Sequence, residues 1–376
     1  MLRLFLNFHD MNSSDNRSAS EHFYFIDALR GIGAIWVVLF HIHLDDRLAQ
    51  LYQVLPLWIL APIFEWGGLG VAIFFVISGF VMAHSLRNAT LTFPYVKQFF
   101  LRRIARLNPP YYFSIGFALL LSLIAATVKG EPFAPMNQAL TLERFLAHLV
   151  YLQELCGFAN INDSYWTLCL EVQFYIVFVL LLGLSQWLAR KSYPISRNQV
   201  FLASAIVSAL YPIGVFGVQP RATFFLEPWY SFMLGVLAYW AWKRQLREEI
   251  FYGYAGVIFA GSIMQPDRFP AASAICAIAF LNLGQTGRLG QWLKEKAFQF
   301  LGKISYSLYL IHGPILGVVF FIGQRVLPPS PFTDLVCTAI TLISCLIAST
   351  LMWRRIEKPS VILSQKLKTL PSTAVI

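Results

Sequence analysis

The first apolar run of the chain contains two residues that could do chemistry, Arg30 and His41. They are eleven positions apart, which in a helix comes within about 20° of three full turns, with a rise of about 16 Å. A cation at the mouth of a membrane helix and an imidazole three turns deeper suit an anionic carrier whose reactive end reaches the histidine. The alternative is a structural histidine bonded to a backbone carbonyl. His43 lies about 200° away around the helix, and we interpret it as an ordinary residue.

A carboxylate, Glu171, stands near the outer end of the fourth apolar run. An ionisable group at this depth needs a partner, and His41 lies at a matching depth. Pairing would fix the tautomer of His41 and make its ring a stronger base. A Glu bonded to hydroxyl groups for packing is the alternative interpretation.

Three arginines, Arg102, Arg103 and Arg106, cluster between the second and third apolar runs. Guanidinium groups match phosphate oxygens in a forked geometry, so the cluster could clamp a phosphorylated donor. The simpler interpretations are the excess of positive charge on cytoplasmic loops and contact with lipid headgroups.

The ninth apolar run carries a polar stripe formed by Ser305, Tyr309 and His312. Their spacing of i, i+4 and i+7 puts them on one helix face. Polar groups in such a helix face protein or a cavity rather than lipid, and packing between helices is the alternative to substrate binding.

The elements that must position these residues are membrane helices. Of the 376 residues, 57% are hydrophobic and only 13% are charged, and the mean hydropathy is +0.60. A soluble protein would carry about a quarter charged residues, so we expect an all-α integral membrane protein. Apolar runs near twenty residues predict about ten spanning helices, at 28–46, 63–85, 110–128, 166–188, 200–218, 224–242, 251–265, 270–284, 301–323 and 333–353.

The charges of the loops predict the orientation of these helices. If the N-terminus is cytoplasmic, the loops on that side hold 22 Lys and Arg residues and the opposite loops hold 6. This bias places both termini in the cytoplasm. It also accounts for the net charge of +10 without nucleic acid as a partner. The five cysteines have no metal-site spacing, so we expect neither a metal site nor a disulfide framework.

Two connecting segments are expected to be helical as well. Residues 93–108 mix aromatic and Arg side chains and predict an amphipathic cytoplasmic helix. Pro109 and Pro110 then mark the start of the next spanning helix. In the longest outer loop, residues 142–149 could form a helix at the membrane interface.

Taken in order, these segments resemble the acyltransferase type 3 family of membrane O-acyltransferases. The resemblance includes an Arg-ten-residues-His first helix, a double-Arg stretch and a Trp-Thr-Leu-Cys-Leu-Glu block. Departures from the family pattern are Thr167 in place of Ser, Val172 in place of a second Glu, and Asn108 in place of an aromatic. The matching segments are 25–41, 70–80, 100–109, 166–171, 301–312 and 356–359.

The resemblance implies a cytoplasmic N-terminal segment (1–22), a membrane acyltransferase domain (23–359) and a cytoplasmic C-terminal tail (360–376). It implies transfer of an acyl group, most often acetyl from acetyl-CoA, to a hydroxyl of a cell-envelope or exported glycan or glycolipid. The enzyme would lie in the inner (plasma) membrane of a bacterium, in contact with membrane lipid. Transfer would be direct, or would use a separate extracytoplasmic partner protein that accepts the acyl group.

In this interpretation four arginines bind the phosphates of the acyl-CoA: Arg30, Arg102, Arg103 and Arg106. His41 is the general base or carries the acyl group, Glu171 orients it, and the ninth-helix stripe lines the tunnel and binds the thioester carbonyl. No metal is implied. A transporter or flippase for a glycan or lipid, without covalent chemistry, is the alternative function.

Overall fold

The computed structural model describes residues 22–217 and 223–369 of the chain. It is 78% helical, and its described residues form no strand. A helix satisfies all its backbone hydrogen bonds within one segment, which is what a chain this apolar requires in lipid. The predicted fold class, an all-α membrane protein, is confirmed.

Fourteen α-helices are found in the described residues. The bounds are α1 Tyr24–His43, α2 Ala49–Val54, α3 Leu57–Ile63, α4 Gly70–Ser85, α5 Phe93–Lys129, α6 Leu142–Leu149, α7 Trp166–Arg190, α8 Arg197–Ala209, α9 Trp229–Trp242, α10 Glu248–Met264, α11 Arg268–Gln285, α12 Lys296–Val326, α13 Pro331–Met352 and α14 Lys358–Thr369.

Six segments of the described chain are long and apolar enough to cross a membrane. They are Tyr24–Asp46, Leu57–Ser85, Phe93–Lys129, Asp163–Arg190, Lys296–Val326 and Pro331–Leu367. The predicted count of about ten is therefore not established. The other four predicted runs correspond to helices α8 to α11, which have 13, 14, 17 and 18 residues. Helix α9 would be only about 21 Å long, and 13 of its residues are buried, so it is an interior helix of the bundle.

The sequence predicts that Pro109 and Pro110 begin a spanning helix, but in the structure they lie inside one. Helix α5 runs through them without a break and joins the predicted amphipathic segment to the predicted span. Each proline removes one backbone donor, but its fixed φ is compatible with a helix. Tertiary contacts hold the helix together here; the Leu107 carbonyl, for example, accepts a hydrogen bond from the Tyr306 hydroxyl at 3.1 Å. The predicted outer-loop helix at 142–149 is present as α6.

Helices α1 and α12 carry most of the predicted site residues, and they are in direct backbone contact. A side chain on Gly31 would lie 2.6 Å from the backbone nitrogen of Gly302, and one on Gly302 would collide with the Asp27 carbonyl. Only glycine allows two helices to approach this closely. The pair therefore sets the spacing between the Arg30–His41 face and the polar stripe of α12.

Candidate active site

All four predicted donor-binding arginines line one cavity of about 410 Å³, which we call the arginine cavity. It lies at the Arg30 end of α1, the end that the charge bias predicts to be cytoplasmic. Three carboxylates line it as well. The charged lining residues are Arg30, Arg102, Arg103, Arg106, Asp27, Glu171 and Glu357.

Arg103 is held in this cavity by aromatic rings. Its guanidinium carbon lies 3.7 Å from the ring centroid of Tyr175 and 4.8 Å from that of Phe99. One terminal nitrogen faces the Met82 sulfur at 3.1 Å, and the buried Nε has no hydrogen-bond partner in the described structure. Stacking fixes the plane of the guanidinium while leaving donors for an anion.

Helix α14 closes one side of the arginine cavity. The Nε of Arg102 donates to the Ser364 carbonyl at 3.3 Å. Close by, the buried carboxylate of Glu357 accepts hydrogen bonds from the backbone nitrogen and the hydroxyl of Ser307, at 3.2 and 2.6 Å. The arginines therefore occupy a formed site between helices, and are not scattered over a solvated surface.

Glu171 lies in the arginine cavity and not against His41, so the predicted pairing of these two residues is corrected. Its carboxylate accepts hydrogen bonds from the Ser78 hydroxyl at 3.3 Å and from the Tyr175 hydroxyl. Tyr175 is the residue on which Arg103 stacks. In this arrangement Glu171 holds the ring that orients a predicted donor-binding arginine.

A small cavity of about 90 Å³ extends from the arginine cavity toward α12. Arg30 and Glu171 line both, and Ser305 and Tyr309 line the small one. The Tyr309 hydroxyl lies 2.7 Å from the Thr167 hydroxyl. Ser305 donates to the carbonyl of Gly302, one turn earlier, at 2.9 Å. The structure thus brings two of the three stripe residues beside the predicted donor site.

The third stripe residue, His312, contacts His41. The ring centroids are 4.8 Å apart, and His312 is fully buried. Its Nδ1 lies 2.8 Å from the Tyr309 carbonyl; because a carbonyl only accepts, Nδ1 carries the proton. Its Nε2 is therefore an acceptor, and it is buried without a partner in the described structure. In this tautomer His312 has no donor for a thioester carbonyl. The hydroxyls of Ser305 and Tyr309 could donate to one by exchanging their present partners, the Gly302 carbonyl and the Thr167 hydroxyl.

His41 makes the same kind of Nδ1 contact as His312 and has a carboxylate beside it. Its Nδ1 lies 2.8 Å from the Val37 carbonyl, so this nitrogen donates. Its Nε2 lies 3.5 Å from Oδ2 of Asp163, and in the neutral ring this nitrogen has the lone pair that a general base needs. His43, in contrast, stacks on Tyr52 with the ring centroids 5.1 Å apart.

Asp163 was not identified from the sequence, although it comes three residues before the Trp-Thr-Leu block. It belongs to residues 130–165, the outer segment, which joins α5 to α7. Buried Arg144 organises this segment by donating to backbone carbonyls. The accepting residues are Ala159, Gln138, Ala139, Pro135 and Asn160.

A second buried residue, His148, fastens the outer segment close to Asp163. Its Nδ1 lies 2.7 Å from the Arg144 carbonyl, and its Nε2 accepts from the backbone nitrogen of Ile161 at 3.0 Å. Burial lowers the pKa of His148 to about 4, so the ring is neutral at pH 7. At the end of the segment, Asn162 donates to the Leu310 carbonyl on α12 at 2.9 Å.

A third cavity, of about 700 Å³, lies beside His41 toward the end of α1 that the charge bias predicts to be outer, and is called the outer cavity. His41, Asn162 and Asp163 line its polar end. Tyr309 and His312 lie between His41 and the small cavity, because their rings are 6.0 Å apart and the His312 ring touches that of His41. The site thus has the arginine cavity and its small extension on one side and the outer cavity on the other, with a row of polar side chains between them.

Three named proteins show what the chain is similar to. BcsY of Komagataeibacter xylinus, whose name assigns it provisionally to the membrane-bound transacylases, is 25% identical over 315 residues, covering 77% of this chain and 72% of its own. The peptidoglycan O-acetyltransferase OatA of Listeria monocytogenes is 23% identical over 330 residues, covering 77% and 49%. The O-acetyltransferase OatA of Staphylococcus aureus is 25% identical over 324 residues, covering 77% and 50%. The chain therefore spans about half the length of these two O-acetyltransferases.

No solved structure gives a significant match to the chain. A family model described as an acyltransferase domain matches residues 23–353. That range includes the first-helix motif, the double-Arg stretch, the Trp-Thr-Leu block and the polar stripe. The resemblance noted in the sequence is confirmed: the chain belongs to the acyltransferase type 3 family and is a multi-pass membrane acyltransferase.

Proposed function

We propose that this protein takes an acetyl group from acetyl-CoA, or another acyl group from its CoA thioester, and transfers it to a hydroxyl of a cell-envelope glycan. It would do so in the plasma membrane of a bacterium. The observation that carries the proposal is that two side chains of α1, Arg30 and His41, line two different cavities. Arg30 lines a cavity with three further arginines, and His41, three turns along the helix, lines a second cavity. The names of the two O-acetyltransferase relatives agree with this reaction.

The donor would bind with its phosphates in the arginine cavity. Coenzyme A is a polyanion at one end and a thioester at the other, and the four guanidinium groups suit the anionic end. Arg103 is the strongest candidate for direct contact, because aromatic rings orient it and its buried Nε has no partner in the described structure. Glu171 would act here as a positioning residue, through its hydrogen bond to Tyr175.

The acceptor hydroxyl would approach His41 from the outer cavity. His41 Nε2 takes the hydroxyl proton as the oxygen attacks the thioester carbonyl carbon. The carbon–sulfur bond then breaks, the new ester forms, and CoA leaves as a thiolate that takes up a proton. Asp163, 3.5 Å from Nε2, would stabilise the imidazolium formed in this step. Ser305 and Tyr309 would bind the carbonyl oxygen from the donor side.

The experiment that tests this function follows both products of the reaction. Purified protein in lipid vesicles is given acetyl-CoA and envelope glycan, and we expect CoA thiol and acetylated glycan to appear in equal amounts. Denatured protein controls for spontaneous hydrolysis. A protein that moved a glycan or lipid without covalent chemistry would consume no thioester, and that result would overturn the proposal.

A further inference from the structure

The outer cavity has two chemically different ends. At one end His41, Asn162 and Asp163 present ring nitrogen, amide and carboxylate groups. The rest of the wall is mainly apolar and comes largely from α5 and α12, with the charged side chains of Asp45, Arg47 and Lys129 also lining the cavity. Its volume of about 700 Å³ lies within the range of about 300–1,000 Å³ that is typical of small-molecule sites.

The apolar end of this cavity opens sideways, toward the lipid. Ile124 and Val128 on α5 and Ile322 on α12 all line the cavity. They are also 50%, 63% and 54% exposed on the surface of the described structure. Both helices belong to the six segments that are long and apolar enough to span a membrane, and in a membrane the apolar side chains exposed on them would face hydrocarbon. The mouth of the cavity is therefore continuous with the lipid-facing surface.

We propose that the acceptor is a glycan carried on a lipid, and that it enters through the cleft between α5 and α12. The lipid chain lies against Ile124, Val128 and Ile322, and the sugar hydroxyl reaches His41 and Asp163. This inference rests on the proposed acyl transfer and names its acceptor class. A water-soluble glycan would use the polar end only and would leave the aliphatic wall and its opening to the membrane without a role.

The test offers the enzyme both kinds of acceptor from the same cells. Envelopes are separated into a chloroform–methanol extract, which holds lipid-linked glycans, and an aqueous extract of free glycans. Purified protein and labelled acetyl-CoA are added to each. We expect labelled glycan in the organic extract at a rate about tenfold or more above the aqueous one. Label confined to the aqueous glycans would overturn the lipid-linked acceptor but keep the proposed function. No label in either extract would overturn both.

Two glycine variants test the entry route. A side chain at Gly317 would meet nothing within 4 Å, and Gly317 lines the outer cavity; Gly317→Phe should therefore fill the cavity without displacing backbone. Gly116→Phe is the matched control, since Gly116 on α5 also has open space but does not line the cavity. We expect Gly317→Phe to lower transfer to the organic extract about tenfold or more, with acetyl-CoA affinity unchanged, and Gly116→Phe to leave both unchanged. Equal transfer by the two variants would overturn the route.

Discussion

The carboxylate of Asp163 should support catalysis by stabilising the charged form of His41. In Asp163→Asn the side chain keeps its shape but loses its charge. Two unit charges 3.5 Å apart interact by about 5 kcal/mol at an effective dielectric of about 20 and by about 1 kcal/mol in bulk water. The Asp163 side chain is 30% exposed and that of His41 only 13%, so an intermediate value of about 2–3 kcal/mol applies. This corresponds to a loss of about 30- to 150-fold in the rate of transfer.

The assay separates this electrostatic role from a structural one. The rate of transfer is measured at saturating acetyl-CoA in reconstituted vesicles, and acetyl-CoA affinity is measured in parallel. The rate should fall while the affinity stays the same, and Asp163→Glu, which keeps the charge, should recover most of the rate. Asp45→Asn is the control, because Asp45 lines the same cavity but contacts Arg47. A full rate in Asp163→Asn, or an equal loss in Asp45→Asn, would refute the reasoning.

Three further outcomes are expected. Arg103→Ala should weaken acetyl-CoA binding more than it slows the saturated reaction. Arg355 is exposed and lies outside the arginine cavity, so Arg355→Ala should change neither quantity. Unchanged affinity in Arg103→Ala would refute the phosphate clamp. Cys156 is the one exposed cysteine of the five, and an impermeant maleimide should label it in intact cells; labelling only after lysis would place the outer segment in the cytoplasm. Burial holds the pKa of His148 near 4, below about 6.5 in an unfolded chain, so the opened outer segment binds a proton that the folded one does not. The stability of the folded outer segment should therefore fall as the pH drops from about 6.5 to 4. The measurement is hydrogen exchange of the Ile161 amide, which should become faster after correction for its intrinsic rate. Constant protection across this range would contradict a buried, neutral His148.

The relative positions of side chains on a single helix were the most predictable feature of this molecule. Helical geometry alone relates Arg30 to His41, and the i, i+4 and i+7 spacing of the α12 stripe correctly predicted an inward face. The arginine cluster was recognisable because three cations in one turn and a half of helix are rare in an apolar chain. These are local patterns, and the helix period is enough to interpret them.

Contacts between elements were harder to predict, and Glu171 shows why. Matching depth in the membrane suggested His41 as its partner, but depth does not determine the direction in which a helix turns its side chains. Glu171 faces Ser78 and Tyr175 instead. Asp163 takes the place beside His41 because the outer segment folds around the carbonyl contacts of Arg144, and no periodicity in the sequence encodes such a loop path.

His41 is proposed to remove the proton from the acceptor hydroxyl, and one comparison tests this role most directly. His41→Ala and His43→Ala are assayed for acetylated glycan at matched membrane abundance. Loss of a general base costs about 10²–10⁴-fold in rate, so His41→Ala should bind acetyl-CoA and yet lose nearly all transfer. His43, which stacks on Tyr52, should be replaceable with activity close to wild type. Transfer that survives in His41→Ala, or that is lost equally in His43→Ala, would contradict the account.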